Sequence, residues 1–251
     1  MANDSDAHPV AVVTGAGADR IGLSVIKRLV QRGYDVAIHA HRSIERAEST
    51  AKEINASGRQ ALAVQADLTD EKAVHRMAEI IGQRFGRIDA LVNCAAIWER
   101  KRIEDVRADD VRRHFDVNVL GTFLCCQIFG LTMVAQPTGG SIVNIGDWAT
   151  VRPYKDYAAY FPSKGSIPAM TRSLAVELAH RNPFVRVNAI LPGPVMLPAD
   201  LPVADRQASI DGTLLKREGS PDNVAHAVEF LLDNDFVTGV CLPVDGGRTI
   251  A

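Results

Sequence analysis

Val10-Ala11-Val12-Val13 is an unbroken apolar run, the pattern of a strand buried on both faces, and it leads straight into Thr14-Gly15-Ala16-Gly17-Ala18-Asp19-Arg20-Ile21-Gly22. From Ile21 to Gln31 the apolar positions switch to a helical period, at Ile21, Val25, Ile26, Leu29 and Val30, and Gly33 ends the segment. The alternation then repeats: a strand over Tyr34 to Ala40, a helix over Ile44 to Ala56 ended by Ser57-Gly58, and a strand over Ala61 to Val64. A helix capped by Thr69 runs to Phe85 and stops at Gly86, and a fourth strand spans Ile88 to Val92. The second half predicts a long helix over Ala108 to Val134, a strand over Ser141 to Ile145, a helix over Asp156 to His180 and a strand over Val185 to Ile190. A helix over Pro221 to Leu232, capped by Ser220, and a strand over Cys241 to Val244 close the series. Strands alternating with helices through short loops predict one α/β domain over residues 1–251, a doubly wound parallel sheet with helices on both faces. The connection from Met196 to Gly219 is longer and less regular than the others, as a substrate lid would be.

With 251 residues and 47% hydrophobic content the chain can bury a full core, and a net charge of −2 with interspersed signs gives no footprint for nucleic acid or an anionic membrane. A small-molecule partner is expected. No apolar run is expected to reach a membrane span, and the polar start, MANDSDAHP, has no apolar signal core and predicts a frayed N-terminus. Cys94, Cys125, Cys126 and Cys241 show neither a metal-ligand spacing nor a disulfide framework, so a cytoplasmic setting is expected.

Position gives the glycine loop its meaning. A helix N-terminus behind a glycine turn, after the first buried strand, offers backbone N–H groups to a dinucleotide pyrophosphate. The residue just past the second strand of such a unit meets the adenosine ribose, where a carboxylate would select NAD. Here stand His41, Arg42 and Ser43, with Arg20 able to converge from the glycine loop, a set suited to the 2′-phosphate of NADP(H). His39 and His41 alternate on one strand, but no third ligand is near, so no metal is expected.

Tyr160 and Lys164 lie four residues apart, one helical turn, so an ammonium would face a phenol and pull its pKa down toward the range of a general acid/base. Asp147 follows the strand Ser141 to Ile145 at the edge where open α/β sheets bind ligands. Asn118, a mediocre helix former inside a predicted helix, has two readings: a buried polar residue satisfied locally, or one that holds a buried water near the site. Pro162 suits a first helical turn, whereas Pro168 would cost an interior hydrogen bond.

The glycine loop, Asn93-Cys94-Ala95-Ala96, the helical Asn118, Tyr160-x-x-x-Lys164, Pro192-Gly193 and Asp245-Gly246-Gly247, in this order and over nearly the full length, resemble the short-chain dehydrogenase/reductase family. The resemblance implies a single Rossmann-type domain with about seven parallel strands, a nicotinamide cofactor, a homotetramer, and hydride transfer to or from carbon. It makes Tyr160 the proton donor, Lys164 the ligand of the nicotinamide ribose, and Asn118 the holder of a relay water. It puts Gly15, Arg20 and Ile21 at the pyrophosphate loop, Asp67 and Leu68 at adenine, Asn93 and Ala95 on the adenosine side. Pro192, Gly193 and Val195 fall at the nicotinamide end, with Val195 at the carboxamide.

Three departures narrow the reading. Arg20 stands where the family's loop has a glycine, with one extra loop residue; Asp147 stands where a serine is expected thirteen residues before Tyr160; and the threonine often found after Pro192-Gly193 is missing. The first two, with His41-Arg42-Ser43, are similar to the pteridine reductase and dihydromonapterin reductase branch. A carboxylate would repel a substrate carbonyl oxygen, so Asp147 points to a substrate with N–H donors or a C=N bond, such as a pterin. Trp98, Trp148 and Phe161 are candidates to stack on a flat ring. A reductase of 3-oxoacyl thioesters or small ketones, and a non-catalytic NADP(H) sensor, are the competing readings.

Overall fold

The computed structural model describes residues 8–251. Seven strands form one sheet in the order β3-β2-β1-β4-β5-β6-β7, every pairing parallel. They are β1 (Val10–Thr14), β2 (Asp35–Ala40), β3 (Ala61–Gln65), β4 (Ala90–Asn93), β5 (Gly140–Ile145), β6 (Val185–Pro192) and β7 (Cys241–Val244). The helices are α1 (Ile21–Gln31), α2 (Ile44–Ala56), α3 (Glu71–Phe85), α4 (Ala108–Phe115), α5 (Gly121–Ala135), α6 (Tyr160–Arg181), α7 (Val203–Asp211) and α8 (Pro221–Asp233).

Successive strand residues face opposite sides, so each strand feeds two cores. Ala11 and Val13 of β1 pack with Val25 and Ile26 of α1 and Val224 and Val228 of α8, while Val12 packs with Met77 of α3, Phe129 of α5 and Leu178 of α6. That division explains the unbroken apolar run at Val10: neither face of β1 meets water.

Several boundaries differ from the sequence-based expectations, each for a local reason. Asp70, not Thr69, caps α3, its carboxylate accepting from Lys72 N–H at 2.9 Å, because Thr69 is bound to Asp67 instead. Ile88 precedes β4 rather than opening it: its N–H and C=O are both taken by the Gln136 side chain, each at 2.8 Å. The long helix expected to Val134 is interrupted by a π-helical turn over Asp116–Leu120. The helix carrying Tyr160 starts at Tyr160, not Asp156, because Asp156 takes φ +71° in the preceding turn. Pro162 therefore falls in the first turn, and Pro168 lies inside α6, where it deprives the Lys164 carbonyl of its helical donor without ending the helix.

The helical stretch Ala108–Ala135 corrects the expectation that no segment reaches membrane-span size: it has 28 residues, and a window of mean hydropathy 1.8 that is 50% buried inside the domain. Leu124, Cys125, Cys126, Phe129 and Met133 are among the buried residues. The expected frayed N-terminus falls on residues 1–7, which lie outside the described residues.

Between the sheet and α5/α6 a fully buried polar chain replaces apolar packing. Asn93 Nδ2 donates to Asn144 Oδ1 at 2.9 Å, and Asn144 Nδ2 donates to Thr171 Oγ1 at 3.1 Å. Removing the central member takes a buried partner from both Asn93 Nδ2 and Thr171 Oγ1, leaving Asn93 Nδ2 only the Cys126 sulfur at 3.2 Å. Asn144→Ala should therefore lower stability by about 2–3 kcal/mol, read as a lower urea midpoint at unchanged slope.

Candidate active site

β1 and β4 are neighbours whose chains leave in opposite directions, and the crevice at their carboxyl ends is the natural ligand position. Thr14 pairs with Asn93 in register, and its Oγ1 accepts from Cys94 N–H at 3.1 Å and Ala95 N–H at 3.2 Å. Gly15 then turns with φ +65°, and a Cβ there would stand 2.6 Å from Ala95 Cα. Only glycine fits this approach of two backbones.

His39 holds the loop from below. Its Nδ1 accepts from Gly15 N–H at 3.1 Å and its Nε2 faces the Ala66 carbonyl at 3.1 Å, which makes it a neutral ring protonated at Nε2. Burial pushes its pKa down to about 4. Both ring nitrogens are thus spent on tying the glycine loop to the end of β3, a role the strand alternation did not reveal. Arg20 is the N-terminal flanking residue of α1 and gives no side-chain cap; its carbonyl takes the Leu23 N–H at 3.0 Å.

His41, Arg42 and Ser43 are exposed beyond β2, and a Cβ on Gly17 would stand 2.5 Å from Ser43 Oγ, so this cluster borders the glycine loop. Arg46 at the same edge is paired with Asp19. Asp67, beside His41 and Arg42, accepts from Thr69 N–H and Oγ1–H, and the backbone bond foremost holds its carboxyl below the usual range. Leu68 and Val195 are buried, and Asn93 has its side chain turned to Asn144 and Cys126, which leaves its backbone at the crevice. Ile21 is partly buried against the core; Gly193 donates its N–H to the Val244 carbonyl at 2.9 Å and packs on Asp245, holding the β6 end with Pro192 against β7.

The structure brings Tyr160, Asp147 and Lys164 together but pairs them differently from the sequence-based expectation. Tyr160 donates its hydroxyl to Asp147 Oδ2 at 2.8 Å, while Asp147 Oδ1 accepts from Ala149 N–H at 2.8 Å. Lys164 donates to the Ile145 carbonyl at 2.7 Å. Tyr160 and Lys164 are each 5% exposed. Burial, then the Asp147 charge, pushes the Tyr160 phenol well up, the reverse of the lowering expected from the ammonium. Burial likewise raises the Asp147 carboxyl, against its hydrogen bonds and Lys164. It also lowers Lys164 to about 8. The phenol therefore keeps its proton and donates it in a hydrogen bond to a partly buried carboxylate.

Asn118 lies in the π-helical turn, a form that concentrates at functional sites. Its Oδ1 accepts from Ile97 N–H at 2.8 Å, and its Nδ2 donates to the Ile97 carbonyl and to Ser163 Oγ, both at 3.0 Å. Ser163, not singled out from sequence, donates on to the Tyr160 carbonyl at 2.6 Å. The side chain thus braces the β4 loop against the catalytic helix. Phe161 packs edge-on to Tyr160 and Tyr154, Trp98 stacks on Tyr157 at 4.9 Å, and His114 meets Tyr160 edge-on. Phe161 is wall; Trp98 is exposed, and Trp148 is partly buried against the Tyr160 cluster. Tyr154 and Tyr157 complete an aromatic rim that sequence reasoning missed.

A family model described as enoyl-(acyl carrier protein) reductase matches residues 15–249. The chain is 37% identical to an uncharacterized oxidoreductase of Methylorubrum extorquens, over 95% of this chain and 96% of that one. The chain belongs to the short-chain dehydrogenase/reductase family. Another family relative, the rat 3-oxoacyl-[acyl-carrier-protein] reductase, is 35% identical over 92% of this chain and 94% of its own. Among solved structures, a blue fluorescent protein from a metagenomic library in complex with NADPH superposes with a TM-score of 0.87 at 33% identity, covering 96% of this chain and 97% of that one. The acetoin dehydrogenase from Enterobacter cloacae gives 0.86 at 34%, covering 97% and 96%. The glycine approach at Gly15 and the buried ammonium of Lys164 fit the nicotinamide dinucleotide that short-chain dehydrogenases/reductases use.

A lysine at about 8 in the fold and 10.5 unfolded binds fewer protons when folded between those values. Stability therefore rises with pH across that window, and the cost of burying the charge is fully present below about 8. Lys164→Met should raise the urea midpoint of the apoprotein at neutral pH, with the gain shrinking as pH climbs from 8 to 10.5.

Proposed function

We propose that this protein is an NADP(H)-dependent reductase of a ring C=N bond in a pterin-like substrate. The observation that carries the reading is the 2.8 Å hydrogen bond from Tyr160 to Asp147. A serine at that position would donate to a carbonyl oxygen; the carboxylate accepts instead, and each of its oxygens keeps a lone pair for a substrate N–H. Bound cofactor supplies the hydride. The residues of the chain bind, orient and protonate: Asp147 receives the substrate's donor, and the Tyr160–Asp147 pair passes its proton to the nitrogen facing it, titrating as one unit. Lys164 holds the nicotinamide ribose, and Asn118 positions the Ile97 loop against Tyr160.

Support for the cofactor's 2′-phosphate comes from Arg20, His41, Arg42 and Ser43 near the glycine loop, and from the structural relative that is in complex with NADPH. A homotetramer in the cytoplasm completes the proposal. It is supported by apolar side chains left exposed along Ala108–Ala135, among them Phe115, Leu120, Phe123 and Leu131, and by four free cysteines. A second reading, reduction of a 3-oxoacyl thioester, is favoured by the names of relatives such as the rat enzyme.

NADPH oxidation with a dihydropterin against an acetoacetyl thioester separates the two. The expected result is turnover of the dihydropterin, and a shift toward the thioester in Asp147→Ser; turnover of the thioester alone by the unmodified protein sinks the pterin reading. Arg42→Ala should weaken NADPH about tenfold or more while leaving NADH nearly unchanged, since one charge-assisted phosphate contact is worth roughly 1.5–3 kcal/mol. Equal use of both cofactors by the unmodified protein would overturn the 2′-phosphate assignment.

A further inference from the structure

The last turn of the chain is built into the wall of the site. After β7, Asp245 is 8% exposed and spends its carboxylate on the turn itself. Oδ1 accepts from Gly247 N–H at 3.0 Å, and Oδ2 accepts from Thr249 N–H at 2.7 Å and Thr249 Oγ1–H at 2.6 Å. The segment after α7 is fastened to the same turn, Leu214 and Leu215 both donating to the Gly246 carbonyl, at 2.9 and 3.2 Å. Arg152, just beyond the 3-10 turn Trp148–Thr150, donates to the Arg248 carbonyl at 3.4 Å and to the Ala251 carbonyl.

Arg248 is thereby held with its side chain across the gap between two segments. Its guanidinium carbon lies 5.2 Å from the Trp148 ring centroid. The same guanidinium stands against Gly212, where an added Cβ would fall 0.9 Å from Arg248 Nη1 and 2.0 Å from Cζ. Gly212 has an ordinary φ of −75°, so no backbone conformation calls for glycine there. The requirement is for space: the guanidinium occupies the place a side chain would take. Gly212 also ends α7, whose carboxyl end favours a cation. A planar, weakly hydrated guanidinium suits such a slot between an indole and a bare backbone; an ammonium does not. No carboxylate pairs with Arg248 among the described residues.

We propose that Arg248 is a positioning residue that latches the 196–219 segment to the loop carrying Asp147, setting the width of the substrate cleft between them. This rests on reading that segment as a lid and Asp147–Tyr160 as the reacting pair. Trp148 directly follows Asp147, and Asp147 accepts from Ala149 N–H, so a shift of the indole moves the backbone that aims the carboxylate. Neither of the Arg248 side-chain contacts, with Trp148 and with Gly212, involves the glycine loop, so the latch is expected to act on substrate more than on the cofactor's phosphates.

The chain holds two tryptophans, so in a Trp98→Phe background Trp148 is the sole emitter. In that background Arg248→Ala and Gly212→Ala should each change the Trp148 emission maximum and quenching by iodide, and the double variant should look like either single one. Arg248→Lys should keep the charge yet behave like Arg248→Ala. With active protein, Arg248→Ala and Gly212→Ala should raise substrate KM about two- to tenfold, the range of one cation–π contact, far more than they lower kcat, with NADPH Kd unmoved. Unchanged Trp148 emission in both single variants overturns the latch, as does an additive double variant or a loss of NADPH affinity equal to the rise in KM. The fluorescence arms need no turnover, so they decide the latch even if the assayed substrates prove wrong.

Discussion

A parallel sheet covered on both faces leaves one place for polar chemistry, the edge where its strands end, and the whole molecule is arranged around that restriction. β1 to β7 run the same way, so Gly15, His41, Asp67, Cys94, Asp147, Gly193 and Asp245 all emerge on a single side although they are spread over most of the chain. The two cores, one under α1, α2 and α8 and the other under α3, α5 and α6, hold this edge rigid from both faces. Loops that would otherwise be free are then clasped by single side chains: Thr14 across the β1–β4 crevice, His39 between the glycine turn and β3, Asn118 between the β4 loop and α6.

The site is costly in the way catalytic sites are. Lys164 is a buried ammonium with one carbonyl partner, Tyr160 donates its hydroxyl to a partly buried carboxylate, and Pro168 removes a helical bond just past Lys164. Apolar residues at these positions would pack at lower cost. The proposed function accounts for their presence by charge and proton handling beside a cofactor, with the surrounding apolar clusters offsetting the cost. The same desolvation explains why the phenol rises rather than falls: an ammonium one helical turn away is outweighed by burial and by the carboxylate in direct contact.

Under the proposed function, Asp147 sets this protein apart from a serine-bearing reductase at the level of a single hydrogen bond. A hydroxyl there would offer a proton to a developing alkoxide. The carboxylate reverses that polarity, and the aromatic rim of Trp98, Tyr154 and Tyr157 gives it a flat, apolar setting.

How much was legible in the chain follows from the range of each signal. Strand and helix order, the glycine turn, and the spacing of Tyr160, Lys164 and Asp147 could be read directly, because apolar periodicity and turn chemistry report on neighbours a few residues away. The π-helical turn at Asp116–Leu120 left no mark in the periodicity of a segment that is helical on both sides. Thr69 and Asp70 are both good caps, and the choice between them fell to Asp67, which binds Thr69. His39 read as an alternating strand residue until Gly15 and Ala66 were placed against its two nitrogens. Order, periodicity and turn chemistry along the chain were enough for the fold class, the sheet edge where ligands bind and the candidate residues there. Which of them touch, and which way burial moves their pKa values, came from the packed molecule, because pairing partners lie as far as 201 residues apart in the chain and burial depends on everything packed around them.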